Sequence, residues 1–340
     1  MKFTLKAALK GALFILCIPV LITAQDAEPM ADRLTERLKS DIFSVGILLQ
    51  SEAIFSFRDD DFKGGRLFDM GATRLDVRGR VDRNYLYRFQ VDFRRQVSIL
   101  DAQVGYAASD HFRIVAGAYK PYTSRDLDPN PGNTDFINRA RQVRTMMNSR
   151  EIGVTVSGTP GNLIYAFGMY NGTGLSRSND NRFMYTGRLS YRAEMENSHM
   201  IFGFSGALNQ TRNAAVGNTG LVSLGNRSLY GPFAEFSSRF FFGTFEFLQT
   251  RFNAQNFGGQ EETITGFYGT LGANTSENDQ LLIRWDKLDF DLRGDTSDLF
   301  TLGWNHQVTR LISFRVNLWA QYDTDEDPKY GAGGLFQFQF

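Results

Sequence analysis

The chain has 340 residues, of which 42% are hydrophobic, 14% aromatic and 22% charged, and its 37 Lys and Arg balance its 37 Asp and Glu. This length allows one large domain or two ordinary ones. The 31 Phe, 13 Tyr and 3 Trp exclude a disordered chain, and a single Cys excludes a disulfide-stapled miniprotein. The 33 Gly and the aromatic residues favour strands and turns over a coiled coil or a helical repeat.

The first 24 residues have the pattern of a secretory signal peptide. Three Lys lie within the first ten residues, an apolar run covers 12–21, and Thr-Ala follows at 23–24. The apolar run is shorter than the ~20 residues that a membrane-spanning helix needs. We therefore expect residues 1–24 to be removed. The mature chain then has no Cys and carries 34 basic against 37 acidic residues, a formal charge of −3.

Residues 25–42 form a separate lead-in to the remaining chain. Apolar side chains recur at every fourth position from Met30 to Ile42. This spacing favours a short amphipathic helix. The main domain is expected to be 43–340, because the helical period does not recur convincingly beyond this point.

From residue 43 onward, apolar and polar residues alternate along sixteen segments. In 85–94, every odd position is aromatic or Val, and in 182–192 the even positions include three Arg. A period of two is typical of a strand with one apolar and one polar face. The predicted strands are 43–58, 66–81, 85–94, 98–108, 112–120, 150–158, 163–170, 182–192, 199–210, 227–238, 240–252, 261–273, 279–287, 298–306, 311–321 and 331–340.

The connections and the last strand predict how these strands are arranged. The connections on the side of the N-terminus are short, whereas most of those on the other side are longer, and an even strand count with this asymmetry is typical of outer-membrane barrels. Several Arg per polar face suit a water-filled lumen. The chain ends in alternating Phe up to Phe340, which resembles the assembly signal of bacterial outer-membrane barrels. We predict an all-β, 16-stranded antiparallel transmembrane β-barrel, surrounded by lipid in the bacterial outer membrane.

The sequence offers little for catalysis. The three His are His111, His199 and His306, all near the predicted short turns and on different strands, and none pairs convincingly with a Ser and an Asp. The Gly-rich segment 331–334 lies in a strand and does not open a helix as a nucleotide loop would. We therefore expect neither an enzyme nor a cofactor, metal ion or nucleic-acid partner.

The distribution of charge favours contact with anions. Arg outnumbers Lys by 29 to 8, and residues 66–150 contain fifteen Lys and Arg against nine Asp, a net charge of +6. Positive charge fixed in a narrow wet pore raises the local concentration of anions. Asp76, Asp92 and Asp101 share the same polar faces, so a ladder of mutually neutralising Arg–Asp pairs is an equal alternative. The candidate anion-path residues on strands are Arg74, Arg78, Arg80, Arg88, Arg94, Arg113, Arg182, Arg188 and Arg192.

Four motifs resemble the phosphate-selective porin O and P family. They are Gly-Ala-Tyr-Lys-Pro-Tyr at 117–122, Asp-Phe-Ile-Asn-Arg at 135–139, Arg-Glu-Ile-Gly-Val at 150–154 and Tyr-Asn-Gly at 170–172. The resemblance implies a sixteen-stranded barrel, usually a homotrimer, that passes phosphate-like anions along Arg and Lys to a central constriction. It assigns Lys120 and Arg139 to the anion path and Arg150 to the motif at which the chain re-enters the barrel.

The longest predicted connection, 121–149, is the third on the side of the longer loops. In trimeric porins that loop folds inward and narrows the pore, and the alternative is an outward-facing, variable loop. Connections of this length are uncommon unless they are functional or disordered. Two of its residues, Arg139 and Arg144, are candidate anion-path residues.

The sequence thus predicts an outer-membrane porin that passes small anions, phosphate-like by resemblance, through an Arg-lined lumen. Two alternatives stay open: a general-diffusion porin with no strong anion preference, and a non-conducting structural or adhesive barrel whose loops bind partners. On the first interpretation, Arg88→Glu or Arg94→Glu lowers the anion preference and leaves the barrel folded.

Overall fold

The computed structural model describes residues 27–40, 42–58, 65–176 and 179–340. The predicted signal peptide, 1–24, lies outside the described residues. Within the described residues there are two helices, α1 (Ala27–Leu38) and α2 (Arg141–Met146). The sixteen long strands are β1 (Ser44–Ser56), β2 (Leu67–Val81), β3 (Tyr85–Asp92), β4 (Ser98–Ser109), β5 (Phe112–Tyr119), β6 (Glu151–Gly158), β7 (Leu163–Tyr170), β8 (Met184–Met195), β9 (Ser198–Asn209), β10 (Arg227–Ser238), β11 (Phe241–Ala254), β12 (Gln260–Asn274), β13 (Asp279–Phe290), β14 (Asp295–Gln307), β15 (Ile312–Asp323) and β16 (Lys329–Gln339).

The strands form a closed antiparallel barrel, as the sequence predicted. Each long strand pairs with the next one along the chain, and β16 returns to β1 in a register that runs from Leu48 opposite Gln339 to Ser56 opposite Gly331. Each of the sixteen predicted segments overlaps one observed strand. Closure matters in lipid, because every backbone donor and acceptor along a spanning strand then has a partner.

The two faces of the barrel wall differ in polarity in the sense expected for a membrane. Large apolar side chains such as Phe68, Phe167 and Leu302 are exposed on the outer face. Polar side chains such as Asp101 and Asn317 are buried on the inner face. The alternation seen in the sequence therefore sets which side chains face lipid and which face the lumen.

The connections differ between the two ends of the barrel. At one end, called the turn end, the connections are short, and at the other, the loop end, they are mostly longer. The connection between β5 and β6, residues 120–150, is the longest and contains a 3-10 turn (Pro131–Asn133) and α2. The connection between β9 and β10 includes a short antiparallel pair, Ala214–Ala215 with Val222–Ser223.

An apolar cluster lies inside the barrel, against the inner face of β10–β13. It joins side chains of the β5–β6 and β9–β10 connections to wall residues whose neighbours along each strand face lipid. The cluster comprises Leu127, Val143, Met146, Met147, Val216, Leu221, Leu229, Leu248, Phe252, Ala254, Ile264 and Leu288. These wall positions are apolar because the two connections cover them.

Helix α1 lies at the turn end of the barrel. Its Asp32 carboxylate is 2.9 Å from a guanidinium nitrogen of Arg310, in the turn between β14 and β15. The ammonium of Lys39 is 4.3 Å from the ring centroid of Phe340. No helix in the described part of the chain is both long and apolar enough to cross a membrane.

Candidate functional site

The β5–β6 connection is attached to the inner wall through a buried carboxylate, that of Glu246 on β11. Glu246 is 0% exposed. It accepts hydrogen bonds from the Ser124 hydroxyl at 2.6 Å, the Arg125 backbone N–H at 2.8 Å and the Gln142 side-chain amide at 3.0 Å. One carboxylate therefore fixes two separate parts of the connection, the segment near 124 and helix α2.

Further wall residues hold the connection along the inner surface as far as β1. Arg284 on β13 donates to the Asn138 carbonyl at 3.0 Å, Asn317 on β15 accepts from the Ile137 N–H at 2.9 Å, and Arg315 donates to the Pro131 carbonyl at 3.2 Å. Gln50 on β1 donates to the same carbonyl at 3.2 Å. Polar groups on this half of the wall thus satisfy the backbone of the connection.

A cavity of 580 Å³ remains between this connection and the wall formed by β1, β2 and β3. Arg74 lines it from β2, Arg94 from the β3–β4 connection and Arg144 from α2. The Arg74 Nε lies 2.9 Å from an Asp92 oxygen and an Arg94 nitrogen lies 3.0 Å from an Asp69 oxygen. Arg144 is exposed, and within the described chain its guanidinium has an amide partner, Asn138 at 3.4 Å, but no carboxylate.

Lys120 and Arg139 lie beside this cavity, but their charged groups are bound within the connection itself. The Lys120 ammonium donates to the carbonyls of residues 127, 128 and 129 at 2.8, 3.1 and 2.7 Å. Burial and the nearby cations of Arg139 and Arg150 lower the pKa of Lys120. Arg139 donates to the carbonyls of Asp126 and Pro129. Both side chains therefore stabilise the fold of the connection.

A buried ion-pair cluster lies on the inner wall around Asp101, which is 1% exposed. Asp101 is 3.1 Å from a nitrogen of Arg88 and 2.8 Å from Nε of Arg150. Arg88 is also 2.8 Å from Asp76. This is the ladder of neutralising pairs that the sequence left open. A glutamate at position 88 would face two carboxylates, so Arg88→Glu is no longer expected to leave the barrel intact.

Arg113 and Arg188 line lumen cavities closer to the turn end. Arg113 contributes to two cavities, of 250 and 650 Å³, and Arg188 to the larger one. Arg113 is exposed. Arg188 is buried, donates to the Ser205 hydroxyl at 3.0 Å and lies 2.6 Å from an Asp128 oxygen.

The remaining candidates lie apart from these cavities. Arg78 and Arg80 are exposed on β2 near the turn end. Arg182 precedes β8 and is 4.0 Å from Asp180, and Arg192 pairs with Glu194 near the end of the same strand. The structure therefore brings Arg74, Arg94 and Arg144 together around one cavity, whereas Arg182 and Arg192 lie at opposite ends of β8 and away from that cavity.

Residues that sequence reasoning missed include Arg125, Glu246 and Arg284. A signal for Glu246 was present, because it is the only acidic residue in Phe-Phe-Gly-Thr-Phe-Glu-Phe-Leu, 241–248, on the inward parity between two Phe. No pattern in the sequence indicated that its partners come from a connection about 100 residues earlier.

A family model described as phosphate-selective porin O and P matches residues 52–232, more than half of the chain. The chain belongs to this family. The resemblance found in the sequence is thereby confirmed, and the porin is placed in the bacterial outer membrane. No curated protein matches the porin.

Solved structures share the barrel at low sequence identity. An anion-selective porin from Comamonas acidovorans gives a TM-score of 0.69 at 12% identity, covering 88% of this chain and 99% of that chain. OmpT of Vibrio cholerae gives a TM-score of 0.65 at 13% identity, covering 89% of this chain and 99% of that chain. A trimer form of in-vitro folded OmpT from Vibrio cholerae gives a TM-score of 0.64 at 11% identity, covering 88% of this chain and 100% of that chain. These similarities show the sixteen-stranded porin fold.

Proposed function

We propose that this porin passes small anions by passive diffusion along its uncovered lumen wall. The observation that carries the proposal is the grouping of Arg74, Arg94 and Arg144 around the 580 Å³ cavity, with no carboxylate of the described chain within ion-pair distance of Arg144. An anion entering from the loop end meets this group beside the long connection, which narrows the lumen. The name of the porin from Comamonas acidovorans, anion-selective, supports the same class of solute.

Selectivity would come from replacing part of the hydration shell of the anion by charge-assisted hydrogen bonds from guanidinium groups. Conduction requires that each such site be weak enough to release the anion. The pairing of Arg74 with Asp92 and of Arg94 with Asp69 reduces the positive potential at this cavity. Weak, distributed binding of anions therefore fits the geometry better than a single tight site.

Phosphate and a trimeric assembly belong to the same proposal. Phosphate is supported by the description of the family, and three protomers are supported by the trimer form of OmpT. The competing general-diffusion pore is supported by Glu52 and Asp92, which line the cavity together with the arginines. The two candidates differ in ion preference and can be distinguished electrically.

The test is the reversal potential of the porin in a planar bilayer under a KCl gradient, repeated after addition of millimolar phosphate. Anion preference with reduction of the chloride current by phosphate is expected. A reversal potential near zero would leave the general-diffusion pore, and the absence of conductance from folded protein would reject both.

Charge reversal at Arg144 is expected to lower the anion-to-cation permeability ratio about thirty-fold, because reversing the sign of a unit charge at ~4 Å in water changes the energy of an anion by ~2 kcal/mol. Arg144→Glu should leave the barrel folded, since this side chain is exposed in the lumen. The matched control is Arg212→Glu, an exposed arginine in the β9–β10 connection. Equal reversal potentials in the two variants would exclude Arg144 from the path.

A further inference from the structure

The 650 Å³ cavity near the turn end has an unusual lining for a water-filled lumen. Ile164, Ala166 and Ile201 line it from the inner faces of β7 and β9. Tyr122 of the β5–β6 connection adds an aromatic ring. The loop-end cavity is lined from the strands by Gln50, Glu52, Ala72, Arg74 and Asp92, which are mostly charged or amide side chains. The two cavities therefore offer different environments to a solute.

Cationic groups lie directly beside this apolar surface. Arg113 and Arg188 both line the cavity. The Arg188 guanidinium is held between two rings, with its carbon 5.5 Å from the centroid of Tyr122 and 5.6 Å from that of Phe233. The Arg188 side chain is 5% exposed, and its Nη2 has no hydrogen-bond partner among the described residues. Packing between rings fixes the orientation of the guanidinium without using this donor.

Two carboxylates line this cavity, those of Asp110 and Asp128, and they do not neutralise all of its cations. Asp128 lies 2.6 Å from both Arg125 and Arg188, and Arg125 is also paired with Glu235 at 2.7 Å. No carboxylate in the described chain lies within ion-pair distance of Arg113. Arg113 is therefore the cation that is available to a solute.

We propose that this cavity is a subsite for organic anions, that is, for a carboxylate carried on an apolar body of about the size of a benzene ring. The carboxylate would contact Arg113, and the body would cover Ile164, Ala166 and Ile201. An apolar body gains from leaving water at this surface, whereas an inorganic phosphate gains nothing there and loses part of its hydration. The subsite rests on the proposed anion path and adds a substrate class to it.

The experiment compares three probes on the reconstituted full-length porin: sodium benzoate, acetate and phosphate, each added to either side of a planar bilayer carrying a chloride current. Benzoate is expected to halve the current at a concentration about ten-fold below that of acetate, because only benzoate buries a ring. Benzoate should reduce the chloride current more strongly when it is added to the side of the bilayer that the turn end faces.

Two variants assign this difference to the cavity. Ile201→Asn is expected to remove most of the advantage of benzoate over acetate and to leave acetate unchanged. Arg113→Gln is expected to weaken both carboxylates about equally. Arg83→Gln is the matched control, since Arg83 is an exposed arginine in the turn between β2 and β3 at the same end and does not line the cavity. Unchanged KCl conductance would show that the Ile201→Asn variant folds. If it does not fold, Ile164→Asn takes its place.

Equal action of benzoate and acetate on the unmodified porin would overturn the subsite. So would an advantage of benzoate that survives both Ile201→Asn and Ile164→Asn. A pore with no anion preference in the KCl gradient would reject the proposed function instead, and the benzoate comparison would still decide whether the cavity binds organic anions.

Discussion

Replacing Glu246 by Ala is expected to raise the single-channel conductance and to make the open-channel current noisier. The carboxylate accepts three hydrogen bonds from the β5–β6 connection and is fully buried. Without it, three donors lose their acceptor, and each buried donor left unpaired costs about 1–3 kcal/mol. That cost falls on the attachment of the connection, since the β10–β12 strand pairing does not depend on this side chain.

The measurement is single-channel recording in KCl, with limited proteolysis of the β5–β6 connection as an independent readout. Glu246→Gln keeps the size and one acceptor oxygen, so its effect should be intermediate. The control is Glu261→Ala on β12, where the side chain is 61% exposed and 3.8 Å from Arg251. A quiet channel of unchanged conductance in Glu246→Ala would show that the apolar cluster alone holds the connection in place.

The second large effect is expected from Asp101→Asn, which should lower stability and raise anion preference together. The carboxylate is the shared partner of Arg88 and Arg150, and all three side chains lie on the inner wall. Neutralising it leaves two guanidinium groups with one fewer counter-charge, which costs about 3–5 kcal/mol in a buried pair. It also adds one positive charge to the lumen wall, so the reversal potential should move opposite to that of Arg144→Glu.

Thermal unfolding in detergent and the reversal potential in a KCl gradient measure the two parts of this prediction. Asp327→Asn provides the reference, because Asp327 is 82% exposed in its 3.2 Å contact with Arg58 and a surface pair of this kind contributes ~0–1 kcal/mol. If Asp101→Asn unfolds at the temperature of the unmodified porin, the Arg88–Asp101–Arg150 cluster does not contribute to stability.

Several basic residues that the sequence grouped together have different surroundings in the structure. Arg144 faces an open cavity, Arg139 and Lys120 hold the backbone of the connection, and Arg88 is shared between two aspartates. Parity along a strand predicts only that a side chain faces the lumen. It does not predict whether a carboxylate on a neighbouring strand or a carbonyl of a connection meets it there.

The sequence by itself determined the barrel. Strand alternation and short turns are local properties that each segment carries in its own residues, and counting the segments along the chain gives an even number of strands. Leu335-Phe336-Gln337-Phe338-Gln339-Phe340 is an example: its period of two is visible without any knowledge of β1 or β15. The tertiary structure alone decided which part of the lumen stays open. That choice depends on contacts between residues about 100 or more positions apart, such as Glu246 with Ser124 and Arg284 with Asn138. A one-dimensional pattern contains no distance between such residues, and only closure of the barrel brings the long connection against the far wall.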